Sequence, residues 1–287
     1  MVGTRKRDAY VLIAPLALVV LALIAFPTVY SYYASLFGVK LSSDQRPFVG
    51  LHNFINILRD EGFRHSVFYS LRFSIFATVL ELILGIGLAL LINRTFKGKG
   101  IATSLVLLPM MIAPSLFALI FRLGLNDFVG IVAYYLKQIG IHVSPFDPKI
   151  VNLTLIVIDA MQWTPFIFII VYAGLTTIPE DLYEVSKMEG ASMLQTFSYI
   201  TLPLLVPTLA MAAFLRGIDA FKVYDMIYVL TNGGPGELTT SVSLYIYKKA
   251  FLDGDLGGAS AASLLLTVVL AIPLSLAMKY VLKKEDR

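Results

Sequence analysis

Two sets of residues in this chain have the types and spacing to grip a polar molecule within an apolar setting. Asp159 and Trp163 stand at i and i+4 in an apolar run, so on a helix they share one face. Arg216, Asp219 and Val223, at i, i+3 and i+7, share one face of a later run. Carboxylate and guanidinium groups hydrogen-bond hydroxyls, and an indole plane covers the apolar face of a sugar ring. Ionisable groups at membrane depth are costly and mark function by default. The same residues admit a structural reading, in which an Asp159–Arg216 or Arg216–Asp219 bridge only ties the two runs together. Glu81 lies mid-run beside Gly85 and Gly87, open either to pairing with a facing helix or to function. Arg122 closes another run and can snorkel to the interface.

Catalytic chemistry finds little support. The absence of cysteine excludes disulfides, thiolate catalysis and Cys-based metal sites. His52, His65 and His142 lie far apart in polar loops, with no metal-type spacing. No paired carboxylates and no Ser/His/Lys set occur at depth. The chain contains no Gly-x4-Gly-Lys-Ser/Thr phosphate loop, so any ATP-derived energy must come from another polypeptide. No catalytic residue, metal site or cofactor is therefore expected.

The elements that position these residues are membrane helices. The 287 residues are 57% hydrophobic and 15% charged, against roughly 45–50% and about 25% in soluble domains. The excess is concentrated in blocks long enough to cross a bilayer, which takes about 20 apolar residues. Six spans are expected, in an all-α polytopic fold. Span one is Tyr10–Phe26, continuing past Pro27 to Leu36, and spans two to four are Leu71–Ile92, Ile101–Phe121 and Leu153–Tyr172. Span five runs from Ile200 to about Leu230, and span six is Ala259–Met278. Arg5-Lys6-Arg7 before the first run resembles a signal peptide, but the run is long and no Ala-x-Ala site follows. A retained helix is expected. The prolines Pro109, Pro114, Pro203 and Pro207 suggest kinks in spans three and five.

Orientation follows from basic flanks. Arg5, Lys6 and Arg7, the turn with Arg94, Lys97 and Lys99, and Lys279, Lys283, Lys284 and Arg287 place both termini in the cytoplasm. The net charge of +4 sits largely in these places and suits a membrane face better than nucleic acid. The polar segment 174–199 then faces the cytoplasm too. Thr177 and Glu180 suggest a capping box with Pro179 in the first turn. Leu182, Val185 and Met188 make a narrow apolar stripe, Gly190 ends the helix, and Ser192 starts a second one through Phe197. An ordinary connector does not need this pattern.

The segment Glu184-x-Ser186-x-x-Glu189-Gly190-Ala191, with Ile200-x-Leu202-Pro203 downstream, resembles the coupling-loop motif of binding-protein-dependent ABC importer permeases. That motif usually reads Glu-Ala-Ala, three residues, Gly, then Ile-x-Leu-Pro. Val185, Ser186 and Glu189 are small departures. Val49-Gly50-Leu51-His52-Asn53-Phe54 resembles the Gly-Leu-x-Asn-Phe element of the sugar-type permeases. Thr231-Asn-Gly-Gly-Pro-Gly236, then Thr239, Leu244, Tyr247 and Phe251, resembles the glycine-rich segment after their span five. The resemblance covers about residues 10–282.

It implies a permease subunit of a type I ABC importer, of the carbohydrate or glycerol-phosphate-like kind, in the cytoplasmic membrane. Its implied organisation is an N-terminal helix and outer loop at 1–66, a type-1 transmembrane domain at 67–282 and a tail at 283–287. Its implied partners are a second homologous permease, two ATP-binding cassette ATPases that bind the ATP and Mg, an extracytoplasmic solute-binding protein and membrane lipid, with no nucleic acid. Glu184, Ser186, Met188, Glu189, Gly190 and Ala191 would couple to the ATPase. By the same resemblance, Asp159, Trp163, Arg216 and Asp219 point to the solute pathway. The alternative is a self-contained secondary transporter coupled to ions through Glu81, Asp159 or Asp219. Such folds usually show internal repeats and more than six spans, and no repeat is visible here.

Overall fold

The computed structural model describes residues 2–94, 96–140 and 144–285, with side chains omitted for 2–12, 136–137 and 272–285. The described chain is helical: α1 (Val2–Leu36), α2 (His52–Arg59), α3 (Glu61–Ile92), α4 (Lys99–Leu107), α5 (Pro114–Gly124), α6 (Ile131–Gln138) and α7 (Val151–Thr176). It continues as α8 (Glu180–Met188), α9 (Met193–Thr196), α10 (Leu202–Phe221), α11 (Asp225–Leu230), α12 (Val242–Tyr247) and α13 (Leu256–Glu285). Two compact units result, one of residues 1–64 with 245–287, the other of 65–244. His142 and Arg287 lie outside the described residues, as do the side chains of Arg5, Lys6, Arg7, Lys279, Lys283 and Lys284.

Four helical segments among the described residues are long and apolar enough to cross a membrane: Ile13–Leu36, Glu61–Ile92, Val151–Thr176 and Met193–Phe221. Span three, where Pro109 and Pro114 suggest a kink, is broken outright. It divides into α4, a 3-10 turn at Pro109–Met111, and α5. Pro109 and Pro114 have no N–H to continue a helix; Leu108 before Pro109 stays helical, whereas Pro114 biases the residue before it toward extended geometry. Ala113 accordingly has ψ 135°, and Ile112 one residue earlier is extended as well. The Gln162 amide donates to the Ile112 carbonyl at 3.0 Å, satisfying a backbone group at the break.

Span two begins ten residues earlier than its apolar run, because Asp60 starts it. The Asp60 carboxylate accepts the Phe63 N–H at 3.1 Å, satisfying a donor that helix geometry leaves free. Span five is also redrawn. It runs unbroken from Met193 to Phe221 through a π turn at Phe197–Thr201, where the Leu202 N–H reaches the Phe197 carbonyl. It ends at Phe221 rather than near Leu230, and Asp225–Leu230 forms a separate short helix. Span six is covered by α13, whose described side chains make an apolar segment to Ala271.

In the unit 65–244, helices α3, α7 and α10 share the core. Ala89, Ile167, Phe168, Val171, Leu205 and Ala212 are buried together there. Gly85 permits the close approach of α3 to α7. A Cβ at that position would lie 2.6 Å from Ile167 Cγ2 and 3.1 Å from the Phe168 backbone nitrogen.

In the other unit, the Gly-Leu-x-Asn-Phe element serves the end of α1. The Asn53 amide donates to the carbonyls of Ser35 at 2.8 Å and Phe37 at 3.0 Å. The Ser35 carbonyl lies in the last turn of α1, where the helix supplies no partner, and the Phe37 carbonyl also accepts the Val39 N–H at 2.9 Å. Tyr245 donates its hydroxyl to Asp60 at 2.9 Å. Burial, then the Asp60 bond, pushes that phenol well above its ordinary range.

Candidate functional site

The predicted pathway residues converge on a single buried cation. Arg216 leaves α10 toward the interior and is 2% exposed. Its Nε donates to Glu81 Oε2 at 2.7 Å, and its Nη2 donates to Glu81 Oε1 at 3.0 Å. Nη2 also donates to Asp159 Oδ2. Nη1 donates to Asp219 Oδ2 at 3.3 Å. Helices α3, α7 and α10 each contribute at least one member. Glu81 and Asp159 are buried with Arg216, whereas the Asp219 side chain is 54% exposed. Both bridges raised by the sequence are present, and Glu81 completes them as the facing-helix partner.

Trp163, one turn beyond Asp159, lies beneath the guanidinium, with Arg216 Cζ 5.1 Å from the ring centroid. This distance is within cation–π range. A cavity of ≈ 300 Å³ adjoins the cluster and is lined by Asp159, Trp163, Arg216 and Asp219. It is small within the roughly 300–1,000 Å³ range of ligand sites. All four predicted pathway residues therefore line one cavity, as does Val223.

The sequence reading missed Gln162, Lys222, Tyr224 and Asp225 in the same wall. Lys222 and Asp225 were hidden because span five was drawn straight through them. The available signal was Asp219, Lys222 and Asp225 at i, i+3 and i+6, a polar interruption of an apolar run. The Lys222–Tyr224 elbow is pinned from behind. Ser243 donates to the Lys222 carbonyl at 2.9 Å, and Ser241 to the Val223 carbonyl at 2.6 Å. Among the described residues no group of three or more His, Cys, Asp or Glu is placed to hold a metal.

The second predicted site is the hairpin of α8 and α9. Glu180 and Asp181 occupy the first turn of α8 as expected, but Thr177 does not cap it. Pro179 holds the cap position, and the Thr177 hydroxyl donates to the Gly174 carbonyl at 2.8 Å. Thr177 sits too early, still at the end of α7. Gly190 does end α8, with φ +76°. The Gly190 N–H bonds the Lys187 carbonyl at 3.1 Å, and the Ala191 N–H bonds Ser186 at 3.0 Å. This paired pattern needs a left-handed residue, which glycine supplies at low cost. Ser192 then starts α9 through a reciprocal capping box with Gln195.

The inside of the hairpin is polar and its outside apolar. Ser186, 5% exposed, meets the Thr196 hydroxyl at 2.6 Å, and Tyr183 meets Thr201 at 3.3 Å. The stripe of Leu182, Val185 and Met188 faces outward, with Met188 87% exposed and Met193 and Leu194 exposed nearby. Glu184 and Glu189 are exposed beside it. The third motif is a closed loop. The Thr231 and Thr239 hydroxyls meet at 2.8 Å, and Thr239 also donates to the Gly234 carbonyl at 2.8 Å.

Apolar helices enclosing a charged cavity, with a separate polar hairpin that exposes an apolar stripe, define a helical membrane transport component. Residues 81–287 match the family described as binding-protein-dependent transport system inner membrane component. The chain belongs to that family. It is 39% identical over 264 residues to the trehalose/maltose transport system permease protein MalF of Thermococcus litoralis, covering 91% of this chain and 88% of the relative. It is 31% identical over 269 residues to the trehalose transport system permease protein SugA of Mycobacterium tuberculosis, covering 93% and 86%. It is 31% identical over 280 residues to the inner membrane ABC transporter permease protein YcjO of Escherichia coli, covering 95% and 94%. Its fold is similar to a chain of a bacterial ABC transporter involved in the import of the acidic polysaccharide alginate, with TM-score 0.83, 24% identity and 96% of each chain covered.

Proposed function

We propose that this permease moves a sugar or sugar-like solute across the cytoplasmic membrane, past the cavity at Asp159, Trp163, Arg216 and Asp219. The observation that carries the reading is that cavity, where an indole and an exposed carboxylate face the same space. Such a pairing offers a plane for a ring and an acceptor for its hydroxyls. The names of the relatives, trehalose/maltose and trehalose transport permeases, support the same solute class.

ATP is hydrolysed, in this reading, by two copies of a separate ATPase that bind the nucleotide and Mg. They receive the hairpin through its exposed stripe and through Glu184, Ser186, Met188, Glu189, Gly190 and Ala191. A second homologous permease completes the solute path, and an extracytoplasmic binding protein delivers the solute. Both termini and the hairpin face the cytoplasm, as the basic flanks indicate.

The test is a pull-down of tagged protein from solubilised native membranes, with identification of the co-purifying chains, joined to uptake by Trp163→Ala. A P-loop ATPase and a second permease are expected, together with uptake lowered at least about fivefold and unchanged assembly. Purification alone, or full uptake by Trp163→Ala, removes respectively the partner assignment or the cavity assignment.

A further inference from the structure

The cavity has a positive residue at its centre, four of whose five N–H donors are already engaged. Each nitrogen of the Arg216 guanidinium donates to a carboxylate, Nε to Glu81, Nη2 to Glu81 and Asp159, and Nη1 to Asp219. The side chain is buried, and its Cζ lies over the Trp163 ring. An arginine normally binds phosphate or carboxylate groups through paired N–H donors pointing at the ligand. Here those donors point at the protein's own acids.

The rest of the wall adds one charge of each sign. Lys222 and Asp225 line the cavity and are exposed at its edge. Two cations, Arg216 and Lys222, share the cavity wall with three carboxylates, Asp159, Asp219 and Asp225, and Glu81 stands behind Arg216. An anionic solute entering this space meets like charge at low dielectric, where repulsion is stronger than in water. A neutral hydroxylated solute meets acceptors it can satisfy as a donor.

We propose that Glu81, Asp159 and Asp219 form an anion filter: by occupying four of the five N–H donors of Arg216 they restrict the cavity to uncharged, hydroxyl-donating solutes, and Glu81 is a specificity-determining residue that never touches the solute. This rests on the reading of the cavity as the solute site. It separates this chain from a permease for phosphorylated or uronic-acid solutes, for which a free arginine in the same place would be an asset. Glu81 acts by positioning and neutralising Arg216, so its removal produces a gain of anion binding as well as a loss of order.

The experiment uses the complete importer complex in lipid nanodiscs, without the binding protein, whose own selectivity would mask that of the cavity. Bound radiolabelled trehalose is displaced by unlabelled trehalose or by trehalose 6-phosphate. In the unmodified complex the phosphate ester is expected to compete at least about tenfold more weakly. In Glu81→Gln, which keeps the shape but frees part of the guanidinium, that gap is expected to narrow at least about fivefold. A merely structural Glu81 would weaken both competitors alike.

Asp219→Asn supplies a second variant at a half-exposed position, and is expected to narrow the gap in the same direction if Glu81→Gln does not assemble. Equal competition by the two sugars in the unmodified complex overturns the filter and leaves the cavity as the solute site. So does an unchanged gap in the variants. If the unmodified complex binds neither trehalose nor any other neutral sugar of a mono- and disaccharide panel, the solute reading fails, and the filter fails with it.

Discussion

Arg216 grips Glu81 through two bonds, Nε to Oε2 at 2.7 Å and Nη2 to Oε1 at 3.0 Å, across 135 residues of sequence. This contact holds α10 to α3 inside an apolar core, and Asp159 adds α7 to the same guanidinium. A buried ion pair gains little over apolar packing when intact, but removing one member strands the other without solvent.

Arg216→Met is therefore expected to destabilise the unit by at least about 3–5 kcal/mol, because two buried carboxylates lose their partner. Asp219→Ala is expected to cost under about 1 kcal/mol, because its side chain is 54% exposed. Thermal unfolding of the purified complex checks both. A similar small shift for the two variants contradicts the clasp. The same measurement on Asp159→Asn, which keeps one acceptor, should fall between them.

The cluster was partly legible in the sequence. Asp159, Arg216 and Asp219 stood out because charges in apolar runs are rare. Helical spacing put each on a face with a neighbour, but spacing within one helix cannot say which helices face each other. Glu81 thus remained open until α3 was seen against α10. One boundary was misread, and one break was legible only as a kink, each for local reasons. Asp60 starts α3 in a polar stretch with no hydrophobic signal, and Pro109 with Pro114 breaks an apolar run that hydropathy alone reads as continuous. The hairpin was read more closely, because caps and glycine stops are short-range features. Gly190 and Ser192 took the positions expected of them.

Gly85 offers a test of the packing that brings Glu81 to Asp159. Its missing side chain lets α3 lie against Ile167 and the Phe168 backbone. Gly85→Val places a Cβ where atoms already stand at 2.6 Å and 3.1 Å. One of those atoms is backbone, so a rotamer change cannot relieve the overlap. Overpacking of this kind costs about 1–3 kcal/mol. A lower yield and an unfolding midpoint several degrees lower are expected; a midpoint equal to that of the unmodified complex refutes the close approach.

Met188 tests the outward stripe without touching the fold. It is 87% exposed and projects from the last turn of α8. Met188→Asp is expected to change stability by less than about 0.5 kcal/mol. Co-purification of the ATPase should drop at least about tenfold, because a buried apolar anchor would become a charge desolvated without a partner. Retained co-purification shows that the stripe is not a docking face. The paired control is Leu41→Asp, exposed in the loop between α1 and α2, which should leave ATPase association unchanged.

Gly190 separates backbone geometry from contact. A Cβ there meets nothing within 4 Å, so a side chain is not excluded by space. Its φ of +76° is the obstacle. Left-handed geometry costs a non-glycine residue on the order of 1–3 kcal/mol, least for Asn and most for β-branched types. The bonds from Gly190 to Lys187 and from Ala191 to Ser186 depend on that geometry, and they set the direction in which the chain leaves α8. Gly190→Asn should therefore keep most uptake and Gly190→Val should lose most of it, while membrane insertion is the same for both. The solute moved per ATP hydrolysed should fall more steeply than the ATPase rate, because the hairpin's shape changes while the catalytic subunit does not. Equal uptake by the Asn and Val variants would show that the turn's handedness plays no part in coupling. Equal loss in both would assign the effect to the new side chain meeting the ATPase rather than to the backbone.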